Sequence, residues 1–229
     1  MGIKENFSFV RERAAQAAVA SHRNAEDVKI IAVSKTFPAS AVQEAINAGV
    51  KVFGENRVQE AKEKIPQLTG NMSFHLIGHL QSNKAKQAVA LFDVIHSVDT
   101  LHIAETINSE AKKLGKTQKI LVQINSSGEQ TKSGAGFEDA VTLAGRCMDM
   151  SNIDLLGFMT IGPLSEDAAA IGAAFAKTKQ TLDTTNARYG TSLRELSMGM
   201  SGDFETAIKE GATMIRVGSL IFGRRNYDV

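Results

Sequence analysis

Eight short apolar runs, the first seven each followed by a longer stretch with helical spacing, constrain this chain more than any other feature. The runs span Lys29 to Ser34, Val50 to Gly54, Ser73 to Gly78, Val94 to Ser97, Lys119 to Asn125, Asp154 to Met159, Glu195 to Met198 and Thr213 to Val217. Helical patterns follow at Ala39 to Ala48, Arg57 to Ile65, Asn83 to Phe92, Leu101 to Leu114, Glu138 to Met150, Asp167 to Tyr189 and Phe204 to Lys209. A strand buried on both faces reads as a nearly continuous apolar run, and parallel neighbours require right-handed helical crossovers. Strand-then-helix units repeated in this way predict an α/β fold of the closed (β/α)8 TIM-barrel type, with a doubly wound open sheet as the other arrangement the pattern allows. An Ala-rich amphipathic helix from about Phe7 to Ser21 precedes the first unit, so residues 1–28 read as an N-terminal helical extension. With three prolines and no Gly/Ser-rich block, nothing divides residues 1–229, and a single domain is expected.

Composition narrows the partners. Lys and Arg number 26 against 25 Asp and Glu, for a formal net charge of +1, so no basic surface for nucleic acid is expected. The opening residues Met1-Gly2-Ile3-Lys4-Glu5 contain no apolar signal core, and no later stretch approaches the roughly 20 apolar residues of a membrane span. The expectation is a cytoplasmic protein. The single cysteine, Cys147, has no internal disulfide partner and reads as a small buried residue in a reducing compartment.

In a barrel, functional groups gather where strands end and the following loops begin. Polar residues stand there: Lys35 after the first run, Glu55 and Asn56 after the second, His79 and Gln81 after the third, Ser126 after the fifth, Thr160 after the sixth, and Ser201 and Ser219 near the last two. Lys35 closes the run Ile30-Ile31-Ala32-Val33-Ser34, which would aim one amine beyond the sheet, where it could form an imine with a carbonyl. An ordinary lysine pKa of about 10.4 leaves only on the order of one amine in a thousand uncharged at neutral pH, so the surroundings would have to favour the neutral form. The alternative is a strand-end lysine that merely reaches water.

The loops after the seventh and eighth strands of such barrels often hold phosphate. Here Ser197-Met198-Gly199-Met200-Ser201-Gly202-Asp203 combines small residues with the Ser201 hydroxyl and a helix-cap candidate in Asp203. Gly218-Ser219 precedes a short apolar stretch, Leu220-Ile221-Phe222. These two loops could bridge a phosphate, expected across the mouth from Lys35, or simply make tight turns. Arg216 lies two residues before Gly218 and would project into the mouth. Its partner is either a bound ring nitrogen or an interior carboxylate such as Glu55.

The segments Ala32-Val33-Ser34-Lys35, Phe53-Gly54-Glu55-Asn56 with Val58-Gln59-Glu60, His75-Leu76-Ile77-Gly78 with Leu80-Gln81-Ser82-Asn83-Lys84, Lys132-Ser133-Gly134, Gly157-Phe158-Met159, and Leu196-Ser197-Met198-Gly199-Met200-Ser201 carry a resemblance that extends to Phe222-Gly223. The chain resembles the pyridoxal phosphate homeostasis protein family, related to the N-terminal domain of alanine racemase. That resemblance implies a barrel of pyridoxal phosphate fold type III without a second β domain, holding pyridoxal 5′-phosphate as an aldimine on Lys35. It further implies phosphate contacts from Ser201, Gly218 and Ser219 with Ser197 in the same loop, a ring-nitrogen contact from Arg216, and packing near the cofactor from Asn56, Met159 and Met198. It departs in two places: His79 stands where the family usually has proline, and Ser219 where threonine is frequent.

The implied function is buffering of the cofactor, its delivery to pyridoxal phosphate-dependent apo-enzymes, and amino-acid balance, without catalysis. A racemase needs an acid/base facing the lysine, and neither Tyr189 nor Tyr227 is well placed to serve. A racemase-like enzyme and a Schiff-base aldolase acting on a sugar phosphate are the alternatives. A monomer is expected. His75 and His79 sit in a strand and its turn, so their spacing does not predict a metal site. Gly134-Ala135-Gly136 lacks a completed dinucleotide fingerprint, Lys132 reads as a loop lysine open to a part in cofactor transfer, and the pairs Lys112-Lys113 and Arg224-Arg225 read as solvated surface.

Overall fold

The computed structural model describes residues 2–126, 133–165 and 167–223. The eight strands are β1 (Lys29–Val33), β2 (Val52–Glu55), β3 (Ser73–Leu76), β4 (Val94–Val98), β5 (Gln118–Ile124), β6 (Ile153–Thr160), β7 (Glu195–Ser197) and β8 (Met214–Val217). They are all parallel and close in sequence order, β8 pairing with β1 from Lys29↔Met214 to Ala32↔Val217. The closed barrel of the sequence analysis is therefore the fold, and the open sheet is excluded.

The helices are α1 (Ile3–Ala20), α2 (Ala39–Asn47), α3 (Val58–Lys64), α4 (Ala85–Leu91), α5 (Leu101–Lys113), α6 (Phe137–Met148), α7 (Ala168–Tyr189), α8 (Phe204–Lys209) and a single turn, α9 (Ser219–Phe222). Among the described residues no helix is long and apolar enough to cross a membrane. Helix α1 begins four residues before the sequence-derived boundary because its apolar face starts at Ile3 and continues through Phe7, Val10, Ala14 and Ala18 at helical spacing. It braces the last units of the barrel: Arg13 grips Glu205 through two hydrogen bonds of 2.9 and 2.7 Å, and Asn6 Nδ2 donates to the Ile221 carbonyl. Arg23 Nη1 donates to the Ile208 and Ala212 carbonyls, satisfying acceptors at the end of α8.

Seven of the eight strand C-terminal ends differ from the sequence reading by one or two residues, β3 most of all, ending at Leu76 and not at Gly78. Glu55 and Thr160, expected in loops, are the last residues of β2 and β6, held there by pairing with Leu76 and Ile124. Gly157 has φ 153°, and a Cβ there would fall 2.0 Å from the Glu195 carbonyl oxygen, so only glycine lets β6 approach β7 at the irregularity in the β5–β6 register.

Alternation along the strands builds the interior in layers. Ile31, Val94, Leu121, Met159 and Met214 form one apolar layer. Two residues further along, on the same faces, come Val33, His96, Gln123 and Arg216, one layer nearer the C-terminal strand ends. Apart from Val33, that layer is polar and self-satisfied. Arg216 Nη1 donates to the Ser197 hydroxyl oxygen at 2.8 Å, His96 Nδ1 lies 3.0 Å from the same oxygen, and His96 Nε2 lies 2.9 Å from His75 Nδ1. Arg216 can only donate, and the two ring nitrogens 2.9 Å apart share one proton, one ring donating to the other. Burial favours the neutral form of both histidines. Burial pushes His75 down to about 4 and His96 well below its ordinary value.

Outside the barrel wall, between β2 and α3, Glu55 and Lys64 form an ion pair of 2.7 Å with side chains 0% and 8% exposed. The Ser34 hydroxyl donates to the same carboxylate oxygen, and Lys64 also donates to the Ser34 carbonyl. Burial nonetheless raises the Glu55 carboxyl, outweighing Lys64 and Ser34. Removing one charge strands the other, so Lys64→Met is expected to lower the unfolding free energy by about 3–5 kcal/mol, whereas the Glu55→Met/Lys64→Met double variant should recover most of it. Urea denaturation midpoints decide this. The histidine layer sets a pH dependence. Unfolded His75 gains a proton near its ordinary value of 6.5 and folded His75 only near 4, so the unfolded state binds more protons as pH falls. Stability should drop by about 2 kcal/mol from His75 alone between pH 6.5 and 5, and His75→Gln should flatten that profile, read by denaturation at the two pH values.

Candidate functional site

A cavity of about 530 Å³ opens at the C-terminal ends of the strands. Lys35 enters it from the turn after β1, half-buried, with Ser34 fully buried before it. Asn56 reaches it from the loop after β2, and Gly78 and His79 from the loop after β3. A Cβ on Gly78 would fall 2.3 Å from the Asn56 carbonyl oxygen, so glycine is what lets these two loops close against each other. On the far strands, Ser201 and Gly202 follow β7, and Gly218 and Ser219 follow β8.

Because barrel closure makes β1 and β8 neighbours, the Lys35 turn and the Gly218-Ser219 loop stand side by side. A Cβ on Gly218 would come 3.3 Å from Val33. The sequence reading set these groups across the mouth from each other, and the register corrects it. Among the described residues, no backbone acceptor takes up the N–H groups of Ser201, Gly202, Gly218 and Ser219, and neither serine hydroxyl is engaged by the protein. Four backbone donors and two hydroxyls facing one cavity form a cradle suited to an anion such as phosphate. Asp203 stands at the N-cap position of α8, but its carboxylate accepts from the Met200 N–H rather than from the helix, so it shapes the loop instead of capping.

Arg216 lines the floor of the cavity at 4% exposure. Its guanidinium donates to the Ser197 carbonyl and hydroxyl and to the Thr160 carbonyl, at 2.7, 2.8 and 2.7 Å. All three acceptors are neutral oxygens, and the interior ion pair with Glu55 is not made because Glu55 is taken by Lys64. Burial lowers Arg216 to about 10, partly offset by Asp203, so it remains a cation at neutral pH. A buried cation with no carboxylate in hydrogen-bond contact can favour an electron-rich group on a ligand.

Of the expected site residues, Lys35, Asn56, Ser201, Arg216, Gly218 and Ser219 line the cavity together. Met159, Ser197 and Met198 do not: all three are fully buried, Met159 in the apolar layer beneath, Ser197 bonded to Arg216 and His96, and Met198 in the core outside the barrel wall. Alternation explains the last two, since Ser197 faces in and Met198 therefore faces out. His79 borders the cavity with its Nδ1 3.8 Å from Asp99, whose carboxyl is raised by burial against the pull of His79 and backbone N–H groups. Gln123 was not singled out in the sequence. It lines the wall and donates to the Ser133 carbonyl at 3.0 Å, and its signal was an amide at an inward position directly after the apolar run Ile120-Leu121-Val122. Lys132, Arg224, Arg225 and Tyr227 lie outside the described residues. Among the described residues no cluster of ligands could hold a metal.

A family model described as "Alanine racemase, N-terminal domain" matches residues 3–226. The pyridoxal phosphate homeostasis protein of Aquifex aeolicus is 39% identical over 228 residues, covering 99% of this chain and all of that protein. The structure of PipY of Synechococcus elongatus PCC7942, with PLP bound, superposes with a TM-score of 0.86 at 38% identity, covering 96% of this chain and all of that one. The alanine racemase of Clostridium difficile 630 shares the fold, with a TM-score of 0.76 at 20% identity, this chain spanning 58% of it. By a near-complete family match and by identity along its whole length, this chain belongs to the pyridoxal phosphate homeostasis proteins, within the alanine racemase N-terminal domain family.

Proposed function

We propose that this chain binds pyridoxal 5′-phosphate in the cavity at the strand ends and serves pyridoxal phosphate homeostasis, holding and releasing the cofactor rather than turning over a substrate. The observation that carries this reading is the meeting, in one cavity of about 530 Å³, of a lysine amine, an anion cradle and a buried cation. Aldehyde, phosphate and ring nitrogen each find one complementary group. When bound, the cofactor supplies an aldehyde that condenses with amines and a pyridine ring that can withdraw electrons.

The residues act on these three ends separately. Lys35 is the covalent anchor. Ser201, Gly202, Gly218 and Ser219 hold the phosphate through N–H and hydroxyl donors. Arg216 would meet the ring nitrogen, and its charge would disfavour a proton there, which would weaken the ring as an electron sink and restrain carbanion chemistry. Ser197, bonded to Arg216 from beneath, keeps the guanidinium in place. A buffering role, with delivery to apo-enzymes in the cytoplasm by a monomer, accords with the homeostasis name of the relative and with an open cavity.

The racemase reading requires a second acid/base. The tyrosine among the described residues, Tyr189, ends α7 with its ring against Gly145 of α6, in the helical layer and away from the cavity. Incubation with D- or L-alanine in deuterated solvent should show no α-proton exchange at enzyme-like rates, and exchange at such rates would replace the carrier reading with an enzyme. The protein mixed with pyridoxal 5′-phosphate should gain a visible absorption band, and borohydride reduction followed by peptide mapping should place the label on Lys35. Lys35→Ala should lose the band, and an unchanged spectrum in that variant would move the anchor to another lysine.

A further inference from the structure

The segment Val58-Gln59-Glu60 has no place in the cavity contacts assigned above, yet Glu60 touches the turn that carries Lys35. Among the described residues only His22 and Thr36 are non-glycine residues with positive φ, and Thr36 directly follows the lysine at φ 69°. A β-branched side chain is crowded in the left-handed region, so such a conformation persists only where its surroundings hold it.

Both sides of the turn are fixed. Before Lys35, the Ser34 N–H donates to the Gly54 carbonyl at 3.0 Å, its hydroxyl donates to Glu55, and its carbonyl accepts from Lys64 Nζ and from the Phe37 N–H. After the turn, the Phe37 ring stacks on Phe222 of α9 at 5.0 Å, and Pro38 caps the start of α2. Between these clamps, the Thr36 N–H donates to Glu60 Oε2 at 3.0 Å. The other carboxylate oxygen of Glu60 faces Arg57 Nη1 at 3.9 Å. Without that acceptor the Lys35–Thr36 peptide could relax toward negative φ, and the rotation would redirect the lysine against its two clamps.

We infer that Glu60 is a positioning residue for Lys35, holding Thr36 in its left-handed conformation so that the amine is presented to the cavity. The inference rests on the reading of Lys35 as the cofactor anchor. It also accounts for the placement of α3: the helix supplies Lys64 to the residue before the anchor and Glu60 to the residue after it.

The test compares Glu60→Ala with Glu60→Gln, which retains an oxygen acceptor. Amide hydrogen exchange at Thr36 in the ligand-free protein reads the turn directly, and titration of the visible band with pyridoxal 5′-phosphate reads the anchor. Glu60→Ala is expected to speed exchange at Thr36 and to weaken cofactor binding about tenfold, the scale of one hydrogen bond to a charged acceptor. Glu60→Gln should stay within about twofold of the parent on binding, and melting temperatures of both variants should remain close to it. Unchanged exchange and affinity in Glu60→Ala would overturn the inference. So would equal losses in both variants that track a lowered melting temperature. Should the parent protein itself form no adduct on Lys35, the functional proposal falls, while the exchange measurement still reports whether Glu60 holds the turn.

Discussion

The pairing of β8 with β1 is the interaction on which the site depends. It joins residues about 185 positions apart, Lys29 to Met214 through Ala32 to Val217, and every step of that register fixes the height of two loops at once. Lys35 lies three residues beyond Ala32 and Gly218 one beyond Val217, so the same ladder that closes the barrel sets the amine beside the anion cradle. Helix α1 guards this seam from outside. Its salt bridge to Glu205, its hydrogen bond to Ile221 and the Arg23 contacts below α8 all fall on the two units that precede closure.

Charge is segregated across the wall of the barrel. Inside, Arg216 meets only neutral oxygens, and the chain through Ser197, His96 and His75 carries no further charge near neutral pH, since both histidines are held well below their ordinary values. Outside, the buried carboxylate of Glu55 is matched by Lys64. Had Glu55 faced inward it would have paired with Arg216 and left the floor of the cavity without an unneutralised cation. The alternation of β2, with Gly54 inward and Glu55 outward, prevents this. The histidines carry hydrogen bonds without charge, which leaves Arg216 as the cation of the polar layer.

Lys35 is presented with little freedom. Ser34 is fully buried and bonded through all its polar groups, Phe37 is pinned on Phe222, and Thr36 keeps a conformation unfavourable for a β-branched residue. A long lysine side chain is flexible by nature, and much of its aim must come from the backbone that bears it. Strain beside a functional residue, held by neighbours from another element, is how a turn of this kind can be both specific and compact.

The sequence by itself determined the eight strand-and-helix units, the inward arginine, and the placement of Lys35, Asn56, Ser201, Gly218 and Ser219 at strand ends. These are legible because the periods of strand and helix are local, and because a barrel gathers its strand ends on one face. The start of α1 was misjudged only where the apolar face begins at Ile3 rather than Phe7. What tertiary structure alone decided is who meets whom. That Glu55 belongs to Lys64 and not Arg216, that the lysine turn adjoins the Gly218 loop instead of facing it, that Ser197, itself bonded to His96, supports the guanidinium, and that Met159 and Met198 do not line the cavity all follow from register and closure. Spacing along one chain carries no record of pairings between residues so far apart, and the left-handed turn at Thr36 has no local signature in a residue that disfavours it.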